Sequence, residues 1–193
     1  MIRALVVIDV QESFRRRPIW GAISNPEIVK SVQRLVEFSR AAGDLVIWIL
    51  HSEPGTSTVF DPANGFVRLM DGLEALDGEP VVTKTSHNAF TTTNLQQFLT
   101  AAGVGAVVVC GIRTEQCVET TARVASDLGY QVTFVVDATA TNPIEHPDAP
   151  PGRSVEEILA DPRTLQSDQI IARTTYVLAG RFAAIRTVDE VIG

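Results

Sequence analysis

The sequence has few thiols: two cysteines, Cys110 and Cys117, in 193 residues. So few thiols, with no secretory leader in view, exclude a disulfide framework as the source of stability. They predict a reducing, cytoplasmic setting in which Cys110 and Cys117 stay unpaired. Long hydrophobic runs are also missing. The longest wholly apolar one, Leu45 to Leu50, has six residues, whereas a membrane span needs roughly 20. The N-terminal run from Ala4 is broken at Asp9, so neither a signal peptide nor a transmembrane helix is expected. Basic charge is scarce, with 16 Lys and Arg against 23 Asp and Glu and a net charge of −7. That balance disfavours phosphate backbones and anionic lipid, so neither nucleic acid nor membrane is expected as a partner. The histidines are His51, His87 and His146. No Gly-x-Ser-x-Gly elbow and no Gly-x-x-x-x-Gly-Lys-Ser/Thr loop occurs, so serine-hydrolase and phosphate-loop chemistry have no motif.

What is present reads as a globular chain. Hydrophobic residues make up 45% and charged residues 20% of it, with no composition break or repeat. A single domain over residues 1–193 is expected, large enough to bury about 70% of its unfolded surface. Short Val, Ile and Leu runs alternate with segments of helical period. Strands are predicted at Ala4–Ile8, Leu45–Leu50, Val81–Thr83, Val104–Cys110, Gln131–Val136 and Ile170–Ala172. Helices are predicted from Asn25 to Ala42, with Asn25 as N-cap, and from Thr92 to Ala102. Two more are predicted from Thr114 to Leu128 and from Ser154 to Ala160, the last with Ser154 and Glu157 as a capping box. Glu53 to Gly65 reads as a loop. Apolar strands with little alternation, separated by helices, indicate an α/β fold with a parallel sheet covered on both faces. Ligands in such folds bind beyond the C-terminal ends of the strands.

Three strand ends carry reactive side chains. Asp9 closes the first strand, where a carboxylate is costly to bury unless something pairs with it; alone it is as easily a turn residue. Lys84 follows the third strand, and a lone lysine is more often a solvated one. Cys117 follows the fourth strand in a strand-turn-helix arrangement. With Thr114 as N-cap, its thiol at the third helical position is expected to be more acidic than a free one. Cys110, inside the strand, reads as packing. Together the three make chemical sense: Cys117 as nucleophile, Asp9 as base and Lys84 as electrostatic support.

Three ordered segments carry a resemblance: Val7-Ile-Asp9-Val-Gln11, Lys84-Thr-Ser-His-Asn-Ala-Phe90, and Gly111-Ile-Arg-Thr-Glu-Gln-Cys117-Val-Glu-Thr-Thr-Ala122. In order and spacing they resemble the isochorismatase-like cysteine hydrolase superfamily, over about residues 2 to 140. The resemblance implies a three-layer α/β/α Rossmann-like fold with a six-stranded parallel sheet and a triad of Asp9, Lys84 and Cys117. It implies a non-proline cis peptide at Ile112–Arg113 and an oxyanion hole from the backbone N–H groups of Arg113 and Cys117. Relatives are commonly homo-oligomers. The metal-binding Asp-x-His pair of nicotinamidases is absent after the second strand, where the sequence reads Leu50-His-Ser-Glu. A lone histidine is a poor zinc site, so no metal and no cofactor are expected.

The resulting expectation is hydrolysis of a C–N bond in a small amide or ureide through a thioester. Two alternatives stay open: a vinyl ether hydrolase of isochorismatase type, and a catalytically silent ligand-binding member. Phe14, His87, Asn88 and Phe90 are candidate substrate contacts, with Trp20, Phe60 and His51 in segments expected nearby. The run Arg15-Arg16-Arg17 would attract an anionic substrate if it is not simply a solvated face.

Overall fold

A computed structural model describes residues 2–193. Strand β1 (Ile2–Ile8) is followed by a short helix α1 (Glu12–Arg15), a 3-10 turn at Pro18–Ala22, and the long helix α2 (Ile28–Ala42). Then come β2 (Leu45–His51), β3 (Val81–Lys84), α3 (Leu95–Ala101) and β4 (Val104–Ile112). A single π-helical turn, Thr114–Val118, leads into α4 (Glu119–Asp127) and β5 (Gln131–Ala140). The chain finishes with α5 (Val155–Ala160), α6 (Ser167–Leu178), β6 (Ala184–Arg186) and α7 (Val188–Ile192).

The six strands form one all-parallel sheet in the order β3-β2-β1-β4-β5-β6. Strand alternation sends successive β1 residues to opposite faces. Ala4, Val6 and Ile8 pack with Leu95 and Leu99 of α3 and with Ala122 and Ala125 of α4. Leu5 and Val7 pack with Ile28, Val32, Leu35 and Val36 of α2. Two apolar layers on one sheet give the three-layer architecture. The cysteines are divided by it: Cys110 lies in the α2-side core, Cys117 in the α4-side core, and both are free.

The expected strand at Ile170–Ala172 is instead the first half of α6, which Gln166 and Gln169 cap reciprocally. The sixth strand is Ala184–Arg186, a three-residue edge with exposed ends. Helix α2 begins after Glu27, not Asn25. The Asn25 amide donates to the carbonyls of Asp137 and Thr139 and so ties the loop to β5. Helix α3 begins three residues later than expected because the threonines ahead of it bond the backbone: Thr92 Oγ1 accepts from the N–H groups of Thr85 and Ser86. The Ser154–Glu157 capping box is present. Among the described residues no helix is long and apolar enough to cross a membrane.

Candidate active site

The chain moves outward from β1 through β2 to β3, then returns to place β4 on the other side of β1. In parallel sheets such a reversal is where ligands bind, beyond the carboxyl ends of the strands, here those of β1 and β4. Register brings the ends level, since Ile8 pairs with both Ile49 and Gly111, and His51 pairs with Lys84. Asp9, Lys84 and the Cys117 turn therefore meet at one edge of the sheet.

Two backbone features shape that edge. Asp9 has φ 55°, a left-handed conformation that Asp tolerates better than most side chains. Its N–H donates to the Ile49 carbonyl at 2.8 Å, fixing the strained residue to β2. Gly111 has φ +126°, and a Cβ there would fall 1.9 Å from the Ile8 carbonyl oxygen. Only glycine lets β4 approach the end of β1 this closely. The Ile112–Arg113 peptide bond is cis.

The three side chains converge. Lys84, Asp9 and Cys117 are buried, the first two completely. Lys84 Nζ lies 2.8 Å from Asp9 Oδ2 and 3.3 Å from Cys117 Sγ, and it also donates to the Ser86 carbonyl at 3.1 Å. Apart from Lys84 at Oδ2 and the thiol, the Asp9 carboxylate has no hydrogen-bond partner among the described residues. Burial raises the Asp9 pKa, opposed by the Lys84 charge and by hydrogen bonding to Lys84 and Cys117.

The Cys117 thiol is pushed up to about 12, first by burial and then by the Asp9 charge, with Lys84 opposing. The expected acidic thiol is thereby corrected. Thr114 is not the cap, since Arg113 holds that place. The chain turns in a π-helical loop, with the N–H groups of Gln116 and Val118 both donating to the Arg113 carbonyl. Desolvation next to a carboxylate outweighs the cation and the helix terminus. The resting sulfur is a thiol that needs a base, and the adjacent carboxylate has the geometry of one.

Surrounding residues fix this trio. The Gln11 amide grips the end of β2 at two points, accepting from the His51 N–H at 2.7 Å and donating to its carbonyl at 3.0 Å. His51 Nδ1 is 3.4 Å from Lys84 Nζ and its Nε2 is 3.5 Å from Glu53 Oε1. Burial and the Lys84 charge lower the His51 pKa. An unprotonated Nδ1 can then accept from Lys84, which leaves the ring proton on Nε2, facing Glu53. Thr121 Oγ1 donates to the Cys117 carbonyl and accepts from the Ala89 N–H, joining the nucleophile turn to the loop after β3.

The candidate substrate contacts sit at varied distances from this centre. Phe14 is buried and meets Phe60 edge-on at 5.0 Å, and Phe60 in turn meets the His51 ring at 5.7 Å. His87 is exposed. Asn88 uses its amide within its own turn, accepting from the N–H groups of Phe90 and Thr91. Phe90 stacks on Tyr130 against the α4-side core. Gln11 and Gly111 stand in the segments that carry the resemblance, but the sequence assigns neither a role. A glycine inside an apolar strand does signal close backbone approach, whereas the Gln11 grip had no local signal. Among the described residues, no cluster of three or more His, Cys, Asp or Glu could hold a metal.

Residues 3–167 match the family model of the isochorismatase domain. The chain belongs to the isochorismatase family. It is 29% identical over 190 residues to the uncharacterized isochorismatase family protein YrdC of Bacillus subtilis (strain 168), covering 98% of this chain and 94% of that protein. It is 38% identical over 152 residues to a streptothricin hydrolase of Streptomyces noursei, covering 77% of this chain and 52% of that protein. Among solved structures, an isochorismatase from Pseudomonas putida KT2440 superposes with a TM-score of 0.82 at 30% identity, covering 97% of this chain and 88% of that one. The chain is thus an isochorismatase-family hydrolase by likeness, and the close approach of Asp9, Lys84 and Cys117 is consistent with a triad.

Proposed function

We propose that the protein is a cysteine hydrolase that cleaves the C–N bond of a small amide or ureide through a thioester. The observation that carries this reading is the buried contact of Lys84 with both Asp9 and Cys117. As Cys117 Sγ attacks the carbonyl carbon, Asp9 takes the thiol proton and the carbonyl electrons move to oxygen. The backbone N–H groups of Arg113 and Cys117 stabilise that oxyanion. Collapse breaks the C–N bond, and Asp9 returns the proton to the departing nitrogen, releasing ammonia or an amine. Water then attacks the thioester while Asp9 accepts its proton. The acid is released and the thiol restored. The Lys84 ammonium, in contact with both, offsets the negative charge shared by Asp9 and sulfur. Phe14, His87, Asn88 and Phe90 stay candidates for the substrate's remaining contacts. The Streptomyces relative named as a streptothricin hydrolase supports hydrolytic chemistry on this framework.

The test is ammonia or amine release across a panel of small amides and ureides, comparing the native chain with Cys117→Ala and Cys117→Ser. Turnover should fall by at least about 10³-fold in both variants, as expected when a covalent nucleophile is removed. A substrate-dependent mass increase on the native chain should mark the thioester. Retained turnover in Cys117→Ala would refute covalent catalysis and favour ether hydrolysis.

A further inference from the structure

The three consecutive arginines after α1 begin have three different surroundings. Arg15 pairs with Glu12 at 2.9 Å. The Arg16 guanidinium sits 4.7 Å from the centroid of the Phe66 ring. Arg17 has no carboxylate partner among the described residues, and it lines a cleft of about 200 Å³ together with Ile19, Arg113, Asn142, Ile144 and Glu145.

The other charges at this cleft are already engaged. Arg113 has Glu115 at 3.1 Å, donates to the Asn142 carbonyl through Nη2 and to Thr141 Oγ1 through Nε, and keeps Nη1 without a partner among the described residues. Glu145 is held by Arg153 at 2.8 Å. Arg17 is therefore the charge left unmatched, and this in a chain of net charge −7. Partial burial, and next the Arg113 charge, hold its pKa below the usual arginine range. Two guanidinium groups near enough to repel, around an open cleft, form a site that an anion would relieve. The planar fork of arginine matches a carboxylate best.

Two residue chains link the cleft to the triad, whose own side chains do not line it. Arg113 begins the turn that carries Cys117. From the other side, Glu53 acts on Arg17 and lies 3.5 Å from His51, whose ring is 3.4 Å from Lys84. We propose that Arg17 and Arg113 hold a carboxylate of the substrate, so that the group cleaved at Cys117 belongs to a small carboxylate-bearing amide. This rests on the amide-hydrolase reading, and it narrows the substrate class of the same site.

Calorimetric titration of succinate into the intact chain tests the anion site without turnover. Native protein should bind it, and Arg17→Gln, checked for an unchanged melting profile, should bind at least about tenfold more weakly, the scale of one lost charge-assisted hydrogen-bond pair. Ammonia release from succinamate and from butyramide then reads the preference for a carboxylate. The ratio of their kcat/KM values should fall about tenfold in the variant. Equal succinate affinity in the two proteins, or none in the native one, would overturn the carboxylate site. Succinate binding through Arg17 with no ammonia from either amide would uphold the site and overturn the amide chemistry.

Discussion

The Cys117 thiol and the Asp9 carboxylate share one buried corner, and each alters the other's proton affinity: the carboxylate raises the thiol pKa, and the thiol lowers that of the acid. Asp9→Asn separates two quantities that usually move together. Removing the negative charge while Lys84 remains should lower the thiol pKa from about 12, so Cys117 should react faster with iodoacetamide at neutral pH. Turnover should meanwhile drop at least about 100-fold for want of a base. Alkylation followed by mass spectrometry, run beside the activity assay, reads both. Slower alkylation together with lost turnover would contradict this account.

Asp9 also sets an expectation for pH. It must be ionised to accept the thiol proton, and burial raises its pKa above 3.8. The acid limb of kcat/KM should therefore lie above the ordinary aspartate range, with rate rising about tenfold per pH unit until Asp9 is ionised. In the native chain the alkylation rate of Cys117 should keep rising with pH and show no plateau below pH 10, because the thiol titrates near 12. A plateau near neutrality would indicate a standing thiolate.

Gly111 faces Ile8 with no room for a methyl group, since a Cβ would meet the Ile8 carbonyl oxygen at 1.9 Å. Gly111→Ala should cost about 3 kcal/mol, the upper end of ordinary overpacking. Because Ile8 precedes Asp9, activity should fall by more than the loss of folded protein explains. Thermal melting and turnover measured on the same preparation test this.

Gln11→Ala removes both bonds to the His51 backbone and leaves that N–H and carbonyl without their partner. A loss of about 1–3 kcal/mol in unfolding free energy is expected. It should be accompanied by a lower kcat, as the end of β2 no longer holds His51 against Lys84. Denaturant titration gives the first quantity and steady-state kinetics the second.

Much of this was legible because the largely buried stretches Ala4–Ile8 of β1, Leu45–Leu50 of β2 and Val107–Val109 of β4, and the Val81-Val82 start of β3, read as apolar runs rich in Val, Ile and Leu. Their ends followed directly, and Asp9, Lys84 and Cys117 were singled out from them. The sixth strand was misplaced because Ile170-Ile171-Ala172 is apolar, yet one apolar run of three does not distinguish strand from helix. The real β6 is half exposed, and the apolar run Phe182-Ala183-Ala184-Ile185 leading into it carries no Val and a single β-branched residue. The thiol's acidity was misjudged for a different reason. A helix terminus can be read from sequence, but the desolvation imposed by α4 packing and by Asp9, more than 100 residues earlier, depends on the completed fold. The surroundings of Arg16 and Arg17 were equally hidden, because Phe66 and Arg113 reach them only through tertiary placement, whereas the Arg15–Glu12 pair is local to α1.

Lys84 is the last residue of β3, a four-residue strand at the outer margin of the sheet that hydrogen-bonds to β2 alone. Margins of a sheet open at lower free energy than its centre. The triad thus draws Asp9 and Cys117 from the most protected strands and its cation from one of the least protected. Catalytic competence becomes a reporter of local fraying: on raising denaturant, turnover should disappear before the ellipticity of the sheet does.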